Sequence, residues 1–252
     1  MSWGCSIVSK LRCKVILAQS LSFRYKNQKT PALDSFDLDL YEEEIVCVLG
    51  HNGAGKTTLL NLIYGILRPN TGKVLINQEV IQSYRDIFYL DSHFALNEDM
   101  TVADNLEFRL ALLGNESIDP TKELDQFSLQ RHKDMPIKCL SSGLRQRASL
   151  ATGFCVNPSL VLLDEPTNTV DQETRFLLED MLKDCKHSHR SALVVSHDLD
   201  FAYSVADYCI VMQDGKRVAQ IEPSKYPSSK DFQNEYLLIT SRQRRSYASN
   251  HH

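Results

Sequence analysis

The 252-residue chain has no apolar run approaching the ~20 residues that a membrane-spanning helix needs. Stretches such as "LVLL" at 160–163 end after a few residues, which excludes a helical span. Positive charge is not in excess either. Lys and Arg total 28 against 32 Asp and Glu, a formal net charge of −4, so no global basic field points to a nucleic-acid partner. The opening "MSWGCSIVSK" lacks a charged region followed by an apolar one, so no secretory leader is expected. The seven cysteines contain no C-x-x-C pair. Cys47 and Cys209 fall in strand-like apolar runs and Cys155 on a helix face, which predicts buried, reduced thiols and a cytoplasmic setting. No internal repeat or low-complexity segment is present, and His251 and His252 are set aside as the stump of a purification tag.

What remains is the pattern of a globular α/β protein. "VILAQSLSFRY" and "ALDSFDLDLY" read as strands, the second alternating apolar with polar. "EEEIVCVLG" is a short continuous apolar run ending in glycine, as expected of a strand buried on both faces of a parallel sheet. A helix is predicted from Lys56 to Leu67, closed by Pro69 and "PNTG". "IFYLDS", "LVLLDE" and "ALVVSHD" are further buried-type strands ending in polar residues. A mostly helical stretch lies between the first two of these. "DYCIVMQDGKRVAQI" reads as a hairpin turning at Asp214-Gly215. The fold class is therefore α/β: a parallel-sheet core, an antiparallel β subdomain and an α-helical subdomain. Polar residues gather at strand C-terminal ends, where such sheets place ligands.

"GHNGAGKT" matches G-x-x-x-x-G-K-[ST] in its required setting of strand, loop and helix. Gly50, His51, Asn52, Gly53, Ala54 and Gly55 would wrap a polyphosphate with backbone amides, reinforced by the helix dipole. Lys56 would reach the β- and γ-phosphates, Thr57 would hold Mg2+, and Thr58 beside it would belong to the nucleotide-binding set. Asp164 ends the "LVLLDEP" strand, where it can hold the same ion through water; Glu165 next to it is placed to polarise an attacking water. His197, ending "VVSHD", is placed to hydrogen-bond the γ-phosphate and that water. ATP and Mg2+ are the expected ligands.

With these motifs in order, residues ~15–222 resemble the ATP-binding subunit of ABC transporters, a P-loop NTPase fold. The resemblance implies a helical subdomain near 93–157, an N-terminal extension at 1–14 and a C-terminal tail at 223–252. It also gives a purpose to "LSSGLRQR". In the family this signature closes over the ATP held by a partner's phosphate loop, so Ser141 and Gly143 would meet a γ-phosphate in trans. Here Ser142 and Leu144 replace the family's Gly and Gln. The resemblance assigns Tyr25 to adenine stacking and Asp171 to the loop that crosses the dimer interface. It places a glutamine touching the metal at Ser92, where serine is too short for the same reach and His93 is a possible substitute. Partners would be transmembrane permease subunits on separate chains and a second copy, or a paralogous ATPase subunit, in a head-to-tail dimer. The chain would then work as an ATPase, peripheral on the inner face of a membrane. The brief helical domain, the "SSG" signature and the absence of an added C-terminal domain look more like single-domain exporter subunits than sugar importers. A soluble ABC ATPase acting in assembly, without a membrane partner, is the alternative. The tail arginines Arg242, Arg244 and Arg245 read as a solvated basic tail.

Overall fold

A computed structural model describes residues 13–91, 96–114, 119–168 and 170–249, with the backbone alone for 186–187 and 243–249. Along the chain, β1 (Lys14–Phe23), β2 (Leu33–Tyr41), β3 (Ile45–Leu49), α1 (Lys56–Tyr64), β4 (Thr71–Ile76) and β5 (Ile87–Leu90) come first. Three helices follow: α2 (Val102–Leu112), α3 (Thr121–Gln126) and α4 (Ser142–Phe154). The chain then runs through β6 (Leu160–Asp164), α5 (Gln172–His187), β7 (Ser191–Ser196) and α6 (Leu199–Val205). It closes with β8 (Tyr208–Gln213), β9 (Lys216–Ile221) and α7 (Ser229–Ser249).

The strands form two sheets. The smaller is antiparallel in the order β2-β1-β4; the larger runs β5-β6-β7-β3-β8-β9, parallel except for β9. Strand β3 shows why its sequence reads as an unbroken apolar run. Ile45, Cys47 and Leu49 join the core beneath the helices, whereas Val46 and Val48 face the small sheet and α1. Both faces are dry, so all five residues are apolar. The six described cysteines are free, and Cys47, Cys155 and Cys209 are buried, as expected.

The structure differs from the sequence reading, or adds to it, at three points. Helix α1 ends at Tyr64 and not Leu67, because Gly65 takes a left-handed cap at φ +89°. Strand β4 was not anticipated; only its pairing with β1 makes "TGKVLI" a strand, since none of its residues is fully buried. Residues 229–249 form α7, a helix that the sequence reading did not place, and its Arg242 is exposed, as a solvated basic tail requires. Phe232 anchors that helix in the core, with its ring 5.7 Å from Tyr203 and 5.8 Å from Tyr226.

Helix α4 lies close against the large sheet. Gly153 faces Phe88 of β5 so tightly that a Cβ there would come within 2.1 Å of the ring. Among the described residues, no helix is long and apolar enough to cross a membrane.

Removing the Phe232 ring should leave a cavity where α7 meets α6. Phe232→Ala is expected to cost about 3–5 kcal/mol in urea unfolding and to release the α7 amides to rapid hydrogen exchange. Retained protection of α7 would show that the helix does not depend on this anchor.

Candidate nucleotide site

The site forms where three neighbouring strands end. Strand β3 feeds the loop Gly50–Gly55, β6 ends at Asp164 and Glu165, and β7 leads to His197. The loop has no room for side chains at two points. A Cβ at Gly50 would lie 2.6 Å from the Met212 carbonyl oxygen, and one at Gly55 would lie 2.2 Å from that of Ala32. Gly55 also sits at φ +108°, which L side chains rarely adopt. The loop therefore delivers Lys56, Thr57 and Thr58 at the start of α1 with their amides unencumbered.

Lys56 is almost wholly buried, its side chain 6% exposed. Its Nζ donates to the carbonyls of Gly50 at 2.8 Å and His51 at 3.2 Å, and stands 2.9 Å from Glu165 Oε1. Oε1 is itself buried, and among the described residues it is held by this ion pair with Lys56 and by no other polar group. Glu165 adopts φ +49°, an uncommon left-handed conformation for a non-glycine residue. Its amide donates to the Val195 carbonyl at 2.9 Å, while Oε2 accepts from the His197 amide at 3.2 Å and meets His197 Nδ1 at 2.8 Å. The carboxylate is thus pinned on one oxygen by His197 and drawn on the other by Lys56.

Burial pushes the Asp164 carboxyl above the usual range, and the nearby charges of Glu165 and Asp91 push it the same way. A hydrogen bond from Thr57 and the charge of Lys56 oppose the rise without cancelling it. A half-buried carboxylate crowded by two others and touched by a threonine hydroxyl suits a divalent cation. Among the described residues no group of three or more His, Cys, Asp or Glu forms a metal cage. Mg2+ needs none, because it takes one or two protein ligands and completes its shell with phosphate oxygens and water.

Tyr25 stands at the rim, its ring edge-on to Phe23 at 4.9 Å and its hydroxyl 3.2 Å from Thr58 Oγ1. With Lys29, Asn52, Lys56, Thr57 and Glu165 it lines a cavity of about 690 Å³, within the size range of small-molecule sites. The His51 side chain turns away toward Asp214, Nε2 lying 3.6 Å from Oδ1. Lys29 was not anticipated; the signal was its position four residues beyond Tyr25.

Ser141, Gly143 and Asp171 are not among the residues lining that cavity. Ser141 caps α4, its Oγ accepting from the Leu144 amide at 3.3 Å, and Ser142 is exposed. Asp171 caps α5, and the Thr174 amide and hydroxyl, then Arg147, hold its carboxyl below the usual range. Arg147 is the residue that sequence reasoning missed. Its NH2 reaches Asp171 at 3.0 Å and Glu173 at 3.1 Å, and its Nε donates to Thr174 Oγ1 at 2.6 Å. It lies one turn after Gly143, whose Cβ would come 3.3 Å from Asp171 Oδ2. The starts of α4 and α5 are therefore tied together, apart from this chain's own phosphate cavity. Ser92 and His93 fall outside the described residues.

The raised Asp164 pKa has a consequence for stability. The carboxyl is destabilising when ionised, a penalty present above its raised folded pKa and gone below the unfolded value near 3.8. Asp164→Asn should therefore raise the melting temperature of the nucleotide-free protein at pH 7.5, and the gain should shrink as pH falls toward 4. Scanning calorimetry across that range checks it; a gain that grows with acidification would contradict the assignment.

Comparison with known proteins agrees with this geometry. The ABC transporter family profile matches residues 33–168. The sulfate/thiosulfate import ATP-binding protein of Mesorhizobium japonicum is 34% identical over 212 residues, 79% of this chain; the match spans 61% of that protein's length. An energy-coupling factor transporter ATP-binding protein of Mycoplasmopsis pulmonis is 31% identical over 235 residues, 86% of each chain. Among solved structures, an ATP-binding subunit of an ABC transporter superposes with a TM-score of 0.76 at 20% identity, covering 88% of this chain and 99% of the other. A dimeric bacterial ABC transporter cassette gives a TM-score of 0.72 at 25% identity, covering 82% and 98%. The chain belongs to the ABC transporter family and has the fold of an ABC ATPase cassette.

Proposed function

We propose that the chain hydrolyses ATP as a head-to-tail dimer and powers transmembrane permease subunits on separate chains, at the inner face of a membrane. One observation carries the dimer. The phosphate cavity holds Lys56 and Glu165 but not Ser141 or Gly143, so each chain supplies half of two sites. In the reaction, γ-phosphate oxygens replace the Glu165 carboxylate as the partner of Lys56. That exchange frees Glu165 Oε1 to take a proton from the attacking water, while His197 keeps the carboxylate oriented through Oε2. Thr57 and Asp164 would hold Mg2+, which neutralises charge on the phosphates. Ser141 and Gly143 of the opposite chain present a helix N-terminus to the γ-phosphate.

The names of the relatives support import and not the export expected from the sequence: sulfate/thiosulfate import and methionine import are among them.

Two measurements test the proposal. Glu165→Gln should reduce turnover by roughly 10²- to 10⁴-fold and give a stable dimer with ATP and Mg2+ by light scattering. A variant that binds ATP yet stays monomeric with its permease present would overturn the sandwich. Gly143→Asp should abolish hydrolysis and spare ATP binding. Mixed with Lys56→Ala subunits, it should regain up to one working site per heterodimer. Loss of ATP binding in the Gly143→Asp monomer would mean that the signature acts within its own chain.

A further inference from the structure

The imidazole of His197 is half exposed, and Glu165 Oε2 faces its Nδ1 at 2.8 Å. With so little packed around the ring, its place is set by the backbone on either side. Before it, Ser196 is fully buried at the end of β7 and pairs with Leu49 of β3 in the middle of the sheet. After it stands Asp198. The Asp198 amide donates to Ser196 Oγ at 3.0 Å, and its Oδ1 accepts the Phe201 amide at 2.9 Å as the cap of α6. Arg175, at the fourth position of α5, grips the same carboxylate with both arms of its guanidinium. Nη1 donates to Oδ2 at 2.8 Å and Nη2 to Oδ1 at 3.4 Å. The arginine is fixed in turn, its Nε donating to Glu179 Oε1 at 3.1 Å and its Cζ lying 5.9 Å from the centroid of the Phe201 ring.

The cap of α6 does not need this arginine, since an aspartate or asparagine caps a helix unaided. What the fork adds is direction. A planar guanidinium that meets both oxygens fixes the plane of the carboxylate as well as its distance, which a lysine ammonium does not. Residue 198 is thereby held from α5, and His197 lies between two anchored neighbours. We propose that Arg175 is a positioning residue for ATP hydrolysis: through Asp198 it sets where His197 stands, and so where His197 holds Glu165 Oε2. Arg175 is not among the residues lining the nucleotide cavity, so its effect on the reaction passes through these groups. The inference rests on the roles given above to Glu165 and His197, and it gives α5 a part in hydrolysis. The Arg175 amide donates to the Asp171 carbonyl at 3.0 Å, one helical turn from the end of α5 that Arg147 holds. A shift of that end would be carried to His197.

The test is steady-state phosphate release by the full chain with ATP and Mg2+, for Arg175→Gln, Arg175→Lys, His197→Ala and the double variant Arg175→Gln/His197→Ala. Arg175→Gln should lower kcat by about ten- to a hundredfold, the cost of a misplaced catalytic group, and leave KM for ATP unchanged. Arg175→Lys keeps the charge without the fork, and its rate should fall between the two. In the His197→Ala background, Arg175→Gln should cost no more than about twofold further, because its route to Glu165 is already gone. A second readout is the ¹H–¹⁵N correlation of the His197 ring nitrogens in the nucleotide-free chain. Arg175→Gln should move them toward the values of a free imidazole that exchanges between tautomers. If Arg175→Gln fails to fold, Asp198→Asn takes its place with the same losses expected, since it breaks the ion pair and keeps a capping residue on α6. An unchanged kcat, an equal loss in the His197→Ala background, or unmoved ring nitrogens would overturn the proposal and leave the roles of Glu165 and His197 standing. A wild-type rate in His197→Ala would instead remove the role of His197, and the positioning role with it.

Discussion

The site depends on how closely backbone approaches backbone around the phosphate loop. Gly50 meets the Met212 carbonyl of β8, and Gly55 meets the Ala32 carbonyl just before β2. The Gly215 amide donates to Ala54 at 2.9 Å, and the Gly215 carbonyl accepts from the Asp34 amide at 2.9 Å. The small sheet, the large sheet and the β8–β9 turn therefore converge on six residues of loop. Side chains would hold these pieces apart; glycines let them touch. Tyr25 owes its place over the cavity to the same contact, since the loop that carries it leads directly into Ala32.

Charge is then distributed by pairing across that frame. Lys56 and Arg147 are both buried cations, and each is met by acidic side chains from a different strand or helix. The two pairings serve different ends. Arg147 has three partners and ties α4 to α5. Lys56 faces a single carboxylate, that of Glu165, so a phosphate oxygen can replace it by exchanging one anionic partner for another. The uncommon backbone of Glu165 belongs to this second arrangement, because it turns the side chain toward both His197 and Lys56.

Much of this was legible in the sequence because the strongest constraints are local. The phosphate loop is specified by glycines, a lysine and two flanking elements within twenty residues. The acidic pair and the histidine each end an apolar run, which marks a strand terminus without knowledge of the fold. Arg147 could not be read in this way: its partners Asp171, Glu173 and Thr174 lie on another helix, and only packing brings them together. Strand β4 was hidden for a related reason, since its first half is polar, none of it is fully buried, and its partner strand lies some fifty to sixty residues earlier. The last helix was legible and overlooked. Phe232, Tyr236 and Ile239 repeat at helical spacing, and all three contribute to the core, but the arginines that follow drew the reading toward a solvated tail.

The packing of Gly153 on Phe88 bears on how this sequence can drift. The two residues fill one space from opposite sides, so neither can enlarge alone. A lineage that gains a side chain at position 153 must shrink the ring at position 88, or accept a displaced helix. Since α4 begins at the signature, that displacement would be felt at Ser141, more than three turns away. Two positions that touch no ligand should therefore vary together among related chains, and the pair works as a spacer that sets how far the signature stands from the sheet.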